Sequence, residues 1–111
     1  MSGGERREMV RYRLHGEIKY GKFREALEIW KQIGALTLKR GWPKLTVWSP
    51  VVGQGNLMIV EGDYPDMATW DRVNSECQTD AEFMGLFRGT SEYVIQGTSF
   101  DELLAAAPEL A

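Results

Sequence analysis

His15 is the one histidine of the chain, and histidine is the side chain whose ordinary pKa lies near neutrality, so proton transfer would fall to it first. It follows Arg11 and Arg13 at alternate positions in "VRYRLH", and on an extended strand the three share one face. Further along, "EGDY" sets Glu61 and Asp63 at the same alternate spacing. If the two strands are antiparallel neighbours, arginines and carboxylates meet in an ion-pair cluster, with Arg11 toward the acidic end and His15 toward the hairpin end. Such a cluster has two uses. It can be a structural lattice of charge on the sheet, or an electrostatic clamp for an anionic or carbonyl-bearing ligand, with Arg11 as a binding group and Arg13 and His15 as catalytic ones. Tyr12, Trp48 and Tyr64 add aromatic surface near these positions, which favours binding of an apolar or aromatic molecule over its conversion.

Other chemistries lack their residues. Cys77 is the single cysteine, which excludes an internal disulfide and, with one histidine, makes a protein-built zinc site very unfavourable. No histidine lies near Cys77 in sequence, and a buried, inert thiol is expected. "GQG" at 53–55 sits in a hairpin turn with no helix directly after it, so the geometry of a phosphate-cradling loop is missing. A formal charge of −3 and a pI near 5.2 argue against nucleic acid as the main partner. The local basic excess of Arg6, Arg7, Arg11 and Arg13 is interrupted by Glu5 and Glu8.

At 111 residues the chain fits one domain, which should remove about two thirds of its unfolded surface from water. Hydrophobic content of 43% with 26% charged residues is that of an ordinary soluble protein without a membrane span. "MSGGERRE" is polar and carries no secretory leader, so a cytoplasmic location is expected.

The elements that must position these residues follow from periodicity. Alternation from Glu8 to His15 predicts a strand, and "HGEIKYG" a turn. Phe23, Ala26, Leu27, Trp30, Ile33, Thr37 and Leu38 predict one face of a helix over 21–39, ended by Gly41 and Pro43. Gly34 within it suggests close packing on a neighbour, or a ligand approaching the backbone. Strands at 44–52 and 56–64 flank "GQGN". "DYPD" starts a second helix with Met67, Trp70 and Val73 as its stripe, and "TDAE" reads as a threonine-to-glutamate capping box opening a separate helical piece with Phe83, Leu86 and Phe87. "SEYVIQG" predicts a fourth strand over 91–97. Ser99 with Glu102 reads as another capping box, so residues 99–111 are expected to be a short C-terminal helix or arm, after a domain over 9–98 and a flexible segment at 1–8.

Strand, helix, strand, strand, helix, strand most often folds as an α+β, ferredoxin-like sandwich, with both helical regions on one face of a four-stranded antiparallel sheet. The other face could be wet, could bind a nucleic acid or could pair with a second subunit. Trp48, Met58, Val60 and Tyr64 fall on one set of alternate positions and Leu45, Val47, Leu57 and Ile59 on the other, so a wet face does not fit. An RNA-recognition motif shares the element order, but Glu61 and Asp63 stand where basic and aromatic residues would be needed. A homodimer through the sheet face is the economical cover, and two sheets meeting this way enclose an interior.

"MVRYRLH", "YGKFREALEIWKQ" and "TVWSPVVGQGNLMIVEGDYPDMATWDRV" resemble the dimeric α+β barrel superfamily, and within it the NIPSNAP-like and antibiotic-biosynthesis-monooxygenase-like groups. The likeness spans residues 9–97: Gly21 and Lys22 opening the first helix, the glycine-centred hairpin, and Asp63 and Tyr64 leading into a helix with Trp70 at its centre. It implies a homodimer with a cavity between sheet and helices, a small-molecule ligand, and chemistry, where there is any, of cofactor-independent oxygenase or cyclase type. The haem-degrading and quinol-oxidising relatives would call for an asparagine, a tryptophan and often a histidine. Trp70 and Asn74, one helical turn apart, match the first two as a ligand-binding and a catalytic residue, but no histidine follows them on that helix. The alternative is a dimeric interaction module without enzymatic activity.

Overall fold

The structure, a computed structural model, describes residues 8–106. The expected flexible N-terminus at 1–8 lies, apart from Glu8, outside the described residues, as do residues 107–111. Alternating side chains in "VRYRLHGE" build β1 (Val10–Glu17), a strand with a neighbour on each side. It pairs antiparallel with β3 (Leu57–Tyr64) and with β4 (Phe100–Ala105), while β2 (Leu45–Trp48) pairs with β3 at the far edge, giving the order β2-β3-β1-β4. This is the ferredoxin-like α+β arrangement.

Directly opposed residues of an antiparallel pair share a face. The register Val10↔Tyr64, Leu14↔Val60 and Gly16↔Met58 therefore sets these residues on the side covered by helices. Val10, Met58, Val60 and Tyr64 are all buried there. Over this face lie α1 (Phe23–Lys39), α2 (Met67–Thr79) and α3 (Ala81–Thr90). From α1, Ala26, Trp30 and Ile33 join Ile18, Met58 and Val60 in one cluster, and Val10, Trp42, Tyr64 and Val73 form a second under α2. The end of α1 is a Schellman motif: Gly41 takes φ +77°, its N–H reaches the carbonyl of Leu38, and Trp42 N–H reaches that of Thr37. The second helical region is two helices, as expected, and each starts on an aspartate. Asp66 accepts from Thr69 N–H at 2.7 Å and Asp80 from Phe83 N–H at 2.9 Å, so Asp80 rather than Thr79 caps α3.

Several expectations are overturned. The fourth strand is not at 91–97. That segment is turns carrying a single bridge, Ile18↔Val94, and β4 lies at 100–105, where a helix or arm was expected. Tyr93, Val94 and Ile95 carry the β-branched and aromatic signal, but the chain turns at Thr98, whose N–H and hydroxyl both bond the Ile95 carbonyl. "FDELLA" has good helix formers, yet the free edge of β1 offers it a full ladder, and tertiary pairing overrides propensity. The domain therefore extends past residue 98 to include β4. Leu38 is 61% exposed and Leu36 is buried in its place. Nothing lies within 4 Å of a Cβ built on Gly34, so no neighbour packs closely on it. Trp48 opposes Ile59, which puts it on the uncovered face, while Leu45 and Val47 oppose Gly62 and Val60 on the covered one.

Candidate functional site

The residues singled out by sequence divide among three places, and they do not converge on one site. The first is the uncovered sheet face. There Arg11 grips Asp63 through two hydrogen bonds, Nε–Oδ1 at 2.7 Å and Nη2–Oδ2 at 3.0 Å, and Arg13 Nε donates to Glu61 Oε2 at 2.7 Å. The register that opposes Arg11 to Asp63 and Arg13 to Glu61 produces these pairs, as the alternation predicts. The hydrogen bond from Arg11, and then its charge, hold the Asp63 carboxyl below the usual carboxylate range. His15 lies at the other end of the strand: its ring stacks on Phe100 with centroids 4.3 Å apart, and its Nε2 lies 2.7 Å from Glu102 Oε1. Trp48, opposite Ile59, belongs to the same face.

The second place is the core under α2. Tyr12 faces Trp70 with ring centroids 6.5 Å apart and points its hydroxyl at Asp101 Oδ2, 3.3 Å away. Burial, followed by the Asp101 carboxylate, pushes its phenol well above the ordinary range. Tyr64 packs with Trp42, Val10 and Val73, and burial pushes its phenol up to about 12. Neither phenol ionises near neutral pH, so neither serves as a base. Cys77 joins this cluster, with its thiol pushed up to about 11 by burial, then by Asp80 and Glu76. Asn74 is half-buried on α2, and neither it nor Trp70 reaches the cavity described next.

The third place is a half-open cavity of about 1020 Å³ between the covered sheet face and the helices. Leu14, Met58 and Val60 of the sheet form its floor, with Trp30 of α1 and Met84 and Phe87 of α3 as walls. The segment 91–99 closes one side. It is held there by Lys19 N–H to the Tyr93 carbonyl and Ile95 N–H to the Glu17 carbonyl, each 2.8 Å. Gly16 makes that approach feasible, since a Cβ on it would already stand 3.4 Å from Val94 Cγ1 and Ser99 Oγ. Trp30 and Phe87 meet edge to face with centroids 6.2 Å apart. The resulting wall is rigid, aromatic and aliphatic.

Of the residues singled out by sequence, only His15 borders this cavity, and its ring is turned to the opposite sheet face by Phe100 and Glu102. Sequence reasoning missed Trp30, Met84, Phe87 and Arg88 as site residues. A signal existed: Met84, Phe87 and Arg88 at i, i+3 and i+4 place a cation beside an apolar stripe on one helix face. The helical walls of the cavity come from α1 and α3 and not from α2, the helix that carries Trp70 and Asn74.

No protein-family model matches the chain, and no curated protein matches it in sequence. Solved structures do match in fold. A NIPSNAP domain protein from Burkholderia xenovorans superposes with a TM-score of 0.72 at 19% identity, covering 90% of this chain and 95% of that one. A conserved protein from Methanosarcina mazei gives 0.73 at 16% identity, with 90% and 94% covered. A variant of a cofactor-independent oxygenase from Streptomyces nogalater gives 0.68 at 13% identity, with 88% and 92% covered. The chain thus has the α+β, ferredoxin-like fold of NIPSNAP and antibiotic-biosynthesis-monooxygenase-like proteins, the groups its sequence resembles.

Proposed function

We propose that this protein binds an apolar or aromatic small molecule in the cavity between sheet and helices, and that it does so as a homodimer. The observation that carries the binding claim is the cavity itself. It is about 1020 Å³, of the size that encloses most of a drug-sized molecule, and it is floored and walled by Leu14, Trp30, Met58, Val60 and Phe87. N-phenyl-1-naphthylamine, a neutral aromatic probe that fluoresces on leaving water, is expected to bind. Met84→Trp, which fills the cavity from a half-buried helix position, is expected to abolish that binding with the thermal melt retained. Equal binding by the variant would place the probe elsewhere and defeat the reading.

Pairing is supported by the uncovered face. Trp48 and Phe100 are 52% and 54% exposed there, Leu57, Ile59 and Leu104 adjoin them, and the two arginines of the face are already paired as Arg11–Asp63 and Arg13–Glu61. A face whose arginines are paired and whose aromatic rings are exposed is suited to burial against a second copy. Sedimentation at micromolar concentration should give the mass of two chains. A mass of one chain would remove the dimer.

The fold shared with a cofactor-independent oxygenase makes oxygenation of the bound molecule the reaction to assay, with a cyclase-like rearrangement as the other chemistry of this kind. Oxygen uptake with hydroquinone-type substrates tests it. Because the His15 ring faces away from the cavity, His15→Ala should leave any such turnover unchanged; a collapse of turnover would return His15 to the mechanism. An interaction module without turnover is the reading left if the neutral probe fails to bind and the dimer persists.

A further inference from the structure

Charge is distributed unevenly around the cavity. The chain carries 16 acidic residues and a net charge of −3, yet none of the residues bordering the cavity is an aspartate or glutamate. Two are cations, Lys19 beside β1 and Arg88 in the last turn of α3. Neither has an ion-pair partner among the described residues, whereas Arg11, Arg13, Arg40 and Arg72 all do. Gln96, Ser91 and Ser99 are exposed polar residues of the same lining, and the Ser91 hydroxyl is turned back to the Arg88 carbonyl at 2.7 Å.

We propose that the ligand of this cavity is a monoanionic amphiphile, an aromatic or apolar carboxylic acid in chemical class, whose body lies on Trp30, Met58 and Phe87 and whose anionic end is held by Lys19 and Arg88. The proposal rests on the reading of the cavity as a small-molecule site and adds the chemistry of the head group. The physical argument is one of matching. An apolar trough bordered by two exposed, unpaired cations rewards a molecule that leaves one negative charge at the surface and buries the remainder, because a charge-assisted hydrogen bond is stronger than a neutral one. Arg88 offers a planar fork suited to a carboxylate and Lys19 a compact charge on a flexible stem, so the pair tolerates more than one head-group position. A cationic ligand would meet two like charges and no carboxylate.

The test uses two probes with one skeleton, 8-anilinonaphthalene-1-sulfonate and neutral N-phenyl-1-naphthylamine, titrated by fluorescence into the intact protein. The sulfonate should bind at least about tenfold more tightly than its neutral twin. Lys19→Gln with Arg88→Gln should bring the sulfonate down to the level of the neutral probe and leave the neutral probe unchanged. Lys31→Gln with Lys39→Gln, which removes the same charge from exposed positions of α1, should alter neither. If both probes bind equally in the native protein, or the sulfonate is insensitive to the Lys19 and Arg88 changes, the anionic-ligand inference is wrong while a neutral probe still blocked by Met84→Trp keeps the cavity reading. If neither probe binds, or Met84→Trp affects neither, the cavity reading fails and this inference falls with it.

Discussion

Arg11, Arg13 and His15 occupy successive outward positions of β1, and each finds a carboxylate on a neighbouring strand. Their pairing was legible in the sequence because alternation and antiparallel order suffice to bring Arg11 to Asp63 and Arg13 to Glu61. What they do was not legible, since the side of the sheet that the helices cover depends on all four strands and three helices packing at once. Cys77 shows the same division. Its inertness follows from a lone thiol on a helix stripe, while its depth appears only with Tyr64 and Val73 in place. With its thiol pushed up to about 11, Cys77 should react with a disulfide reagent at pH 8 about tenfold more slowly than a free cysteine, the loss of thiolate being partly offset by the greater nucleophilicity of the more basic thiolate. A rate near that of free cysteine, followed by absorbance, would contradict the environment described. Asp80 gives a pH dependence. The hydrogen bond from Arg40, and then the Phe83 N–H, hold its carboxyl below the usual range, so its stabilising contribution is complete above an unfolded carboxylate pKa of about 4 and fades as pH falls through the folded value. Thermal melts between pH 6 and about 3 should therefore fall less steeply for Asp80→Asn than for the native chain. Parallel slopes would mean that the carboxylate contributes nothing.

At the scale of elements, the helix over Phe23–Lys39 and the strand Leu57–Tyr64 were legible, while the strand expected over 44–52 stops at Trp48, because Pro50 and the turn before Leu57 take the chain out of the ladder. The segment after α3 was not legible. Residues 91–105 hold a β-like tripeptide that makes one bridge and a helix-like hexapeptide that makes a strand, and only the vacant edge of β1 decides between them. Packing on α1 can be checked with two alanine substitutions. Ile33 is fully buried and Leu38 is 61% exposed, so Ile33→Ala should cost about 2–5 kcal/mol and Leu38→Ala less than about 0.5 kcal/mol by denaturant titration. Similar costs at both positions would mean that the helix is rotated from the orientation described. The cap of α2 supplies a smaller test: Asp66→Ala removes the acceptor for Thr69 N–H and should cost about 1 kcal/mol, with no loss in Asp66→Asn or Asp66→Ser beyond a few tenths.

At the scale of the whole molecule, the two sides of one sheet carry different duties. The covered side yields the cavity, floored by Leu14, Met58 and Val60, walled by α1 and α3 and closed on one side by 91–99. The uncovered side presents Trp48 and Phe100 beside paired arginines, which supports the proposed pairing with a second copy of the chain. Trp48→Glu with Phe100→Glu sets unpaired carboxylates on that face and should give a sedimenting mass of one chain with the fold retained; a persistent dimer would move the interface elsewhere. The central claim, that the small molecule occupies the cavity and not the exposed sheet face, is tested most directly by nuclear magnetic resonance of methionine methyl groups. Met58 and Met84 border the cavity, while Met9 and Met67 lie outside it and are 46% and 52% exposed. On titration with N-phenyl-1-naphthylamine the Met58 and Met84 signals should shift and saturate together while Met9 and Met67 stay in place. Shifts confined to Met9, or no shift at Met58 and Met84, would contradict it.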